Sequence, residues 1–288
     1  MPTYLSEIVA AHRLAAAADR RDLDGLHRAA LDCPPTRGFA AALAAAATGG
    51  LAVVAEVKRR SPSKGDLAPD LDPAEVAGAY AAGGATCLSV LTDRDYFGGS
   101  PADLVAARTA AGLPVLRKDF TVGPADVLDA RLMGADAVLL IVAALDDREL
   151  VDLAALAAEV GLDALVEVHD EAELDRALAV GAGLVGVNQR DLATFTVDGA
   201  RAERLAAAIP DDVVAVAESG IGGPEDAARL AAAGFQAVLV GETLVRSADR
   251  AAAVAALTGH PVAGRAGRAG RAGRAGRAAG AGRAGAVR

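Results

Sequence analysis

Four ionisable residues stand near the ends of short apolar runs. Glu56 and Lys58 follow Leu51–Ala55, Lys118 follows Pro114–Leu116, and Glu167 follows Ala164–Val166. An amine and a carboxyl brought to one place can give a proton to a substrate and take one back, which is general acid–base chemistry. Glu56 and Lys58 are two apart, so on a strand they share a face. Charges held there need a partner or a task. A structural ion pair is the plain alternative to a catalytic one. Lys118 is the candidate acid: cations around it would lower its pKa towards neutrality. Glu167 is the candidate base. Arg117 and Asp119 alternate away from Lys118 and read as structural. His169 opens a turn and reads as a surface or capping residue.

A second group is suited to an anion. Ser219-Gly220 and Gly241 follow two further apolar runs. Glycine lets backbone N–H groups approach a phosphate closely. The two cysteines, Cys33 and Cys87, form no CxxC pair, and the four histidines have no His-x3-His spacing. Neither a metal nor an organic cofactor is expected.

These residues need elements to hold them. Eight apolar runs have the length and β-branched content of strands buried on both faces. They are Leu51–Val57, Thr86–Leu91, Pro114–Leu116, Ala137–Val142, Ala164–Val168, Leu184–Val187, Val213–Ala217 and Ala237–Val240. Between them stand helix starts: Asp72-Pro73, Ser100-Pro101, Gly123-Pro124, Asp146 with Glu149, Asp170 with Glu173, and Gly223-Pro224. Helix ends are expected at Gly83, Gly134, Gly161, Gly181 and Gly234. Eight strand-then-helix units predict an α/β fold, a (β/α)8 TIM barrel over residues 48–258. An open doubly wound sheet is the alternative, but no GxGxxG follows the first strand. Residues 1–47 predict one or two extra helices that close the barrel bottom or edge the site. In such barrels the chemistry sits where strands end, and the seventh and eighth strand ends commonly bind phosphate.

Composition agrees. Hydrophobic residues make up 53% and aromatics 3%, so the core must be aliphatic. Residues 261–288 hold seven Arg and no acid. Removing those charges from the chain's −9 leaves about −16 for the rest. An acidic body argues against nucleic-acid binding as the main task. The tail, taken as residues 259–288, is rich in Ala, Gly and Arg, cannot repay its ordering entropy and is expected to be disordered. The start has no basic-then-apolar leader pattern, and no run reaches the ~18 apolar residues of a membrane span. A cytoplasmic protein is expected, a monomer or weak homo-oligomer, whose partner is a small phosphorylated molecule. Residues alone thus imply a barrel enzyme using Lys/Glu acid–base chemistry.

Glu56-Val57-Lys58-Arg59-Arg60-Ser61-Pro62-Ser63 resembles the signature of indole-3-glycerol-phosphate synthases. Leu116-Arg117-Lys118-Asp119-Phe120, Leu139-Leu140-Ile141, Val187-Asn188-Gln189-Arg190-Asp191-Leu192 and Glu218-Ser219-Gly220-Ile221 resemble that family's later segments, in order. The resemblance covers residues 4–258. It implies ring closure of 1-(2-carboxyphenylamino)-1-deoxyribulose 5-phosphate, with loss of carbon dioxide and water, in tryptophan biosynthesis. It implies Lys118 as general acid, Glu167 as base in the dehydration, and Glu56 and Lys58 polarising the reacting centre. Asn188 and Arg190 would hold the departing hydroxyl and the anthranilate part. Phe97, Phe120, Leu139 and Ile141 would line the aromatic pocket. Ser61, Ser219, Gly220, Gly241 and Glu242 would surround the phosphate, with Glu242 offering its N–H and turning its side chain away. Other phosphate-binding barrels, a phosphoribosylanthranilate isomerase or a tryptophan-synthase α-type lyase, share the phosphate end. They do not account for Glu56, Lys58, Lys118 and Glu167 together. A non-catalytic barrel would not need them, and RNA binding through the tail is a separate reading.

Overall fold

The computed structural model describes residues 4–62, 64–191 and 196–264. Ser63 and Leu192 of the motifs, and residues 265–288 of the expected tail, lie outside the described residues.

Eight strands form the frame: β1 Ala52–Val57, β2 Cys87–Leu91, β3 Val115–Lys118, β4 Ala137–Ile141, β5 Asp163–Val168, β6 Leu184–Asn188, β7 Val214–Glu218 and β8 Ala237–Val240. They pair in parallel and in chain order, and β1 closes the ring by pairing with both β2 and β8. A two-stranded ribbon, Arg60–Ser61 with Gly65–Asp66, stands on the loop after β1. The third run extends two residues beyond its expected end, to Lys118. Arg117 pairs opposite Val90 and Lys118 opposite Leu91, so polar side chains continue the ladder.

Alternation sorts the apolar residues into two shells. Val53, Ala55, Val57, Leu88, Val90, Val115 and Val138 face the helices. Ala52, Val54, Cys87, Leu116, Ala137, Leu139, Leu165, Leu184, Val216 and Leu239 fill the interior. This period of two is why the last inward position of a strand faces the mouth.

Three helices precede the barrel, one more than the larger number expected: α1 Tyr4–Ala18, α2 Leu23–Leu31 and α3 Phe39–Ala47. Both expected placements occur. Phe39 and Leu43 of α3 are fully buried and join the interior shell, plugging the bottom. Tyr4, Leu5 and Ile8 of α1 edge a cavity at the other end. α2 packs on α6 (Pro124–Leu132).

The other helices follow their strands. α4 Pro73–Ala82 and α5 Pro101–Ala111 are capped by the Asp72 and Ser100 side chains. α7 Asp147–Glu159 begins with an Asp146/Glu149 capping box, and α8 Glu171–Ala179 is capped by Asp170. α9 Gly199–Ala206, α10 Pro224–Ala232, α11 Glu242–Val245 and α12 Arg250–Ala255 complete the set. Four of the five glycines expected at helix ends take a positive φ; Gly83 ends α4 as expected, but the positive φ falls on Gly84. Gly83 is required because a Cβ there would lie 2.4 Å from the Ala251 carbonyl oxygen.

The expected tail begins at residue 259, but residues 259–264 are tied to the barrel. The Gly259 N–H donates to Leu51 O, the Leu51 N–H to His260 O and the Ala263 N–H to Ala231 O. Val262 packs against the outer shell. Backbone bonds, which composition does not report, hold this stretch.

Candidate active site

A cavity of about 390 Å³ opens at the C-terminal ends of the strands. All the residues singled out from the sequence as site candidates line it. At its floor, Lys118 Nζ donates to Glu167 Oε2 at 2.9 Å and to Glu218 Oε2 at 2.7 Å. Asn188 Nδ2 donates to Glu167 Oε1 at 3.1 Å. Lys58 Nζ lies 2.5 Å from Glu56 Oε1, and Ser89 Oγ donates to Glu56 Oε2 at 3.4 Å. Glu56, Lys118, Glu167, Asn188 and Glu218 thus come from five different strands. Each occupies the inward phase of its strand.

The electrostatics overturn one expectation. Lys118 was expected among cations, with a lowered pKa. Its neighbours are carboxylates. Burial alone would lower its pKa, but Glu167, Glu218 and Glu56 outweigh burial and raise it. Burial pushes Glu167 the other way, up, yet Lys118, His169 and Asn188 hold it down, to about 2. Glu218 is pushed up to about 7 by burial and by the charge of Glu167, against the pull of Lys118. Two acids beside one ammonium are therefore pushed in opposite directions, Glu167 down and Glu218 up.

Glu218, quoted in the last motif without a role, is brought into the cluster by the fold. Its signal was present, since it continues the inward phase of Val214 and Val216. Its carboxyl occupies space that a glycine leaves open. A Cβ on Gly186 of β6 would lie 2.1 Å from Glu218 Oε1. That oxygen is buried with no hydrogen-bond partner.

The β7 and β8 ends form one flank. Ser219 and Gly220 both have positive φ, +66° and +68°. Ser219 is the one non-glycine residue in that region among those described, and such strain is typical of functional sites. The Gly220 Cβ position is closed as well, 2.4 Å from Val197 Cγ1. Thr243 Oγ1 donates to Ile221 O at 2.8 Å, joining the two strand ends. α11 starts at Glu242, capped by Gly241, and its first N–H groups have no partner within the helix. Gly241 makes room for the β1 pair: a Cβ would lie 2.3 Å from Glu56 Oε1 and 3.1 Å from Lys58 Nζ. Ser61 and Glu242 border the same flank.

The opposite flank is apolar. Phe97 and Phe120 lie with ring centroids 6.2 Å apart, and Leu139 and Ile141 continue the surface. Arg190 reaches the cavity from the loop after β6, its N–H donating to Asn188 Oδ1 at 3.0 Å. Asp119, expected to point away, also borders the cavity. It accepts from Thr92 Oγ1 and, at 3.0 Å, from Arg117.

His12, Asp93 and Asp119 converge with ligand atoms within 4.8 Å of one another, a donor set that suits a cation. The same carboxylates already have partners. Asp93 takes His12 at 3.0 Å on one oxygen and the Tyr96 and Phe97 N–H groups on the other. The cluster acts as a clamp from α1 to the loops carrying Phe97 and Phe120, and the His12 ring lies 5.3 Å from Phe120.

A family profile described as indole-3-glycerol phosphate synthase matches residues 5–257. The chain is 54% identical over 259 residues to the indole-3-glycerol phosphate synthase of a Nocardioides species, covering 89% of this chain and 98% of that one. It is 49% identical to indole-3-glycerol phosphate synthase 2 of Ralstonia nicotianae, covering 79% and 85%. Among solved structures, thiamine phosphate pyrophosphorylase from Pyrococcus furiosus superposes with a TM-score of 0.55 at 17% identity, over 72% of this chain and 93% of that chain. That likeness concerns the barrel alone.

Proposed function

Because the chain belongs to the indole-3-glycerol phosphate synthase family, we propose that it closes the ring of 1-(2-carboxyphenylamino)-1-deoxyribulose 5-phosphate. The observation that carries this reading is the Lys118–Glu167–Glu218 cluster, set between an aromatic flank and a glycine-lined one.

The substrate has an aromatic acid at one end and a phosphate at the other, so the two flanks fix its direction. Phe97, Phe120, Leu139 and Ile141 take the ring, and Arg190 pairs with its carboxylate. Ser61, Ser219, Gly220, Gly241 and the N–H of Glu242 take the phosphate, where a helix start favours an anion. The ketone then lies over Lys118. As the aromatic carbon attacks, the carbonyl oxygen becomes an alkoxide and takes the Lys118 proton. That charge makes even a raised ammonium pKa suitable. Carbon dioxide leaves and its bonding electrons restore the aromatic ring. The new hydroxyl departs as water with a second proton, oriented by Asn188 and supplied from the Glu56–Lys58 pair or Glu218. Glu167 takes the proton from the carbon beside nitrogen. One proton is taken up overall.

No step calls for a metal, since an ammonium polarises the carbonyl. Among the described residues no helix is long and apolar enough to cross a membrane. We place the enzyme in the cytoplasm, as a monomer or weak homo-oligomer with no nucleic-acid partner.

Indole fluorescence should appear when the protein meets this substrate, unchanged by a chelator. Lys118→Ala should lower kcat by at least about 10²-fold, and Lys118→Arg should not restore it, because Arg cannot release a proton near neutral pH. A wild-type protein that forms no indole product would refute the reading.

A further inference from the structure

His169 lies just beyond β5, two residues after Glu167, on the same inward phase. It is not a loose surface residue: its side chain is 12% exposed. Glu173 of α8 holds it twice, accepting the His169 N–H at 2.7 Å and ring Nδ1 at 2.9 Å on one oxygen. A carboxylate oxygen can only accept, so this contact places the ring hydrogen on Nδ1. The grip aims the other nitrogen inward. Nε2 is buried, has no hydrogen-bond partner, and lies 3.6 Å from Glu167 Oε1.

A neutral ring with hydrogen on Nδ1 would direct a lone pair at an ionised carboxylate. That repulsion disappears when Nε2 also carries a hydrogen. We infer that His169 is a positively charged positioning residue that holds Glu167 ionised and oriented from the side opposite Lys118. The inference rests on the reading of Glu167 as the base. It gives His169 a task that Lys118 cannot perform alone. When Lys118 yields its proton, the charge on Oε2's partner is gone. Glu167 then keeps Asn188 and the imidazolium on Oε1, and remains a competent base for the later step.

The surroundings agree. Burial works against charge on His169, but the Glu173 hydrogen bond and the Glu167 charge outweigh it, so its pKa is raised. Arg201 of α9 is the opposing cation. It is engaged with Asn188 O at 3.3 Å and lies 3.8 Å from Asp191.

The test follows the imidazole and the turnover together. The His169 Cε1–H NMR signal, identified by its loss in His169→Gln, should titrate above the usual ~6.5. Its pKa should fall in Glu173→Gln and in Glu167→Gln. His169→Gln keeps a donor without the charge. It should lower kcat about tenfold, less than the 10²–10⁴ of a group touching the reacting atoms, with KM little changed. Glu173→Gln should move the alkaline limb of the kcat profile to lower pH, a shift that a purely structural role would not cause. An imidazole pKa at or below the usual value, or a His169→Gln profile superposable on wild type, overturns the inference. A wild-type protein with no indole product would instead overturn the function proposed above.

Discussion

Glu218 is where burial most changes what a residue type can do. A carboxylic acid with an ordinary pKa of 4.5 is carried to about 7. The folded state therefore binds the proton more tightly than the unfolded chain. Its contribution to stability is fully present below pH 4.5 and is lost as pH rises through about 7. Glu218→Gln mimics the protonated form and removes that dependence. The variant should match wild type in Tm under acidic conditions and exceed it above pH 7, measured by thermal unfolding across pH. Activity should move the other way, with kcat reduced by about 10²-fold if the proton is used in the dehydration. A variant that keeps full turnover would reduce Glu218 to a partner for Lys118.

Among the elements, the strands owe part of their site geometry to residues with no side chain. Gly186 in β6 and Gly241 after β8 face the carboxyls of Glu218 and Glu56 at distances that no Cβ can share. Gly186→Ala should displace the Glu218 carboxyl, and Gly241→Ala should displace Glu56 and Lys58. Steady-state kinetics should show kcat falling in both, although neither position is itself ionisable. Gly78 in α4 is the control: nothing lies within 4 Å of its Cβ position. Gly78→Ala should raise stability by about 0.5–1 kcal/mol, from helix propensity, with unchanged kcat. If all three behave alike, space at the mouth is not what the glycines supply.

For the molecule as a whole, the closing contact lies at the bottom. Residues 259–264 return to β1 and to the end of α10 through backbone hydrogen bonds. A chain ending at Gly264 should keep the Tm and kcat/KM of the full chain in moderate salt, where the long-range effect of the arginine charges removed is screened. One ending at Thr258 should melt several degrees lower. Each lost hydrogen bond is worth about 1 kcal/mol, and each kcal/mol about 2–4 °C at this size. Calorimetry on the two truncations separates these outcomes. Equal Tm values would mean that residues 259–264 contribute nothing to the stability of the fold.

Periodicity determined the barrel without any structure. Strand burial on both faces, helix caps and a repeating unit length are local properties, and local physics writes them directly into the residue order. The candidates Glu56, Lys58, Lys118 and Glu167 were legible for a related reason: each puts a charge at the end of an apolar run, whereas Asn188 entered only through the family resemblance. Tertiary structure decided what the order could not carry. Whether Lys118 meets cations or carboxylates depends on strands about 50 and 100 residues away, Glu167 and Glu218. The charge state of Glu218 depends on burial and on Glu167 beside it. His169 reads as a turn residue until α8 is in place to aim its ring. Pairwise distances between far positions set field strength and desolvation, and both vary steeply over a few ångströms, a scale on which sequence separation says nothing.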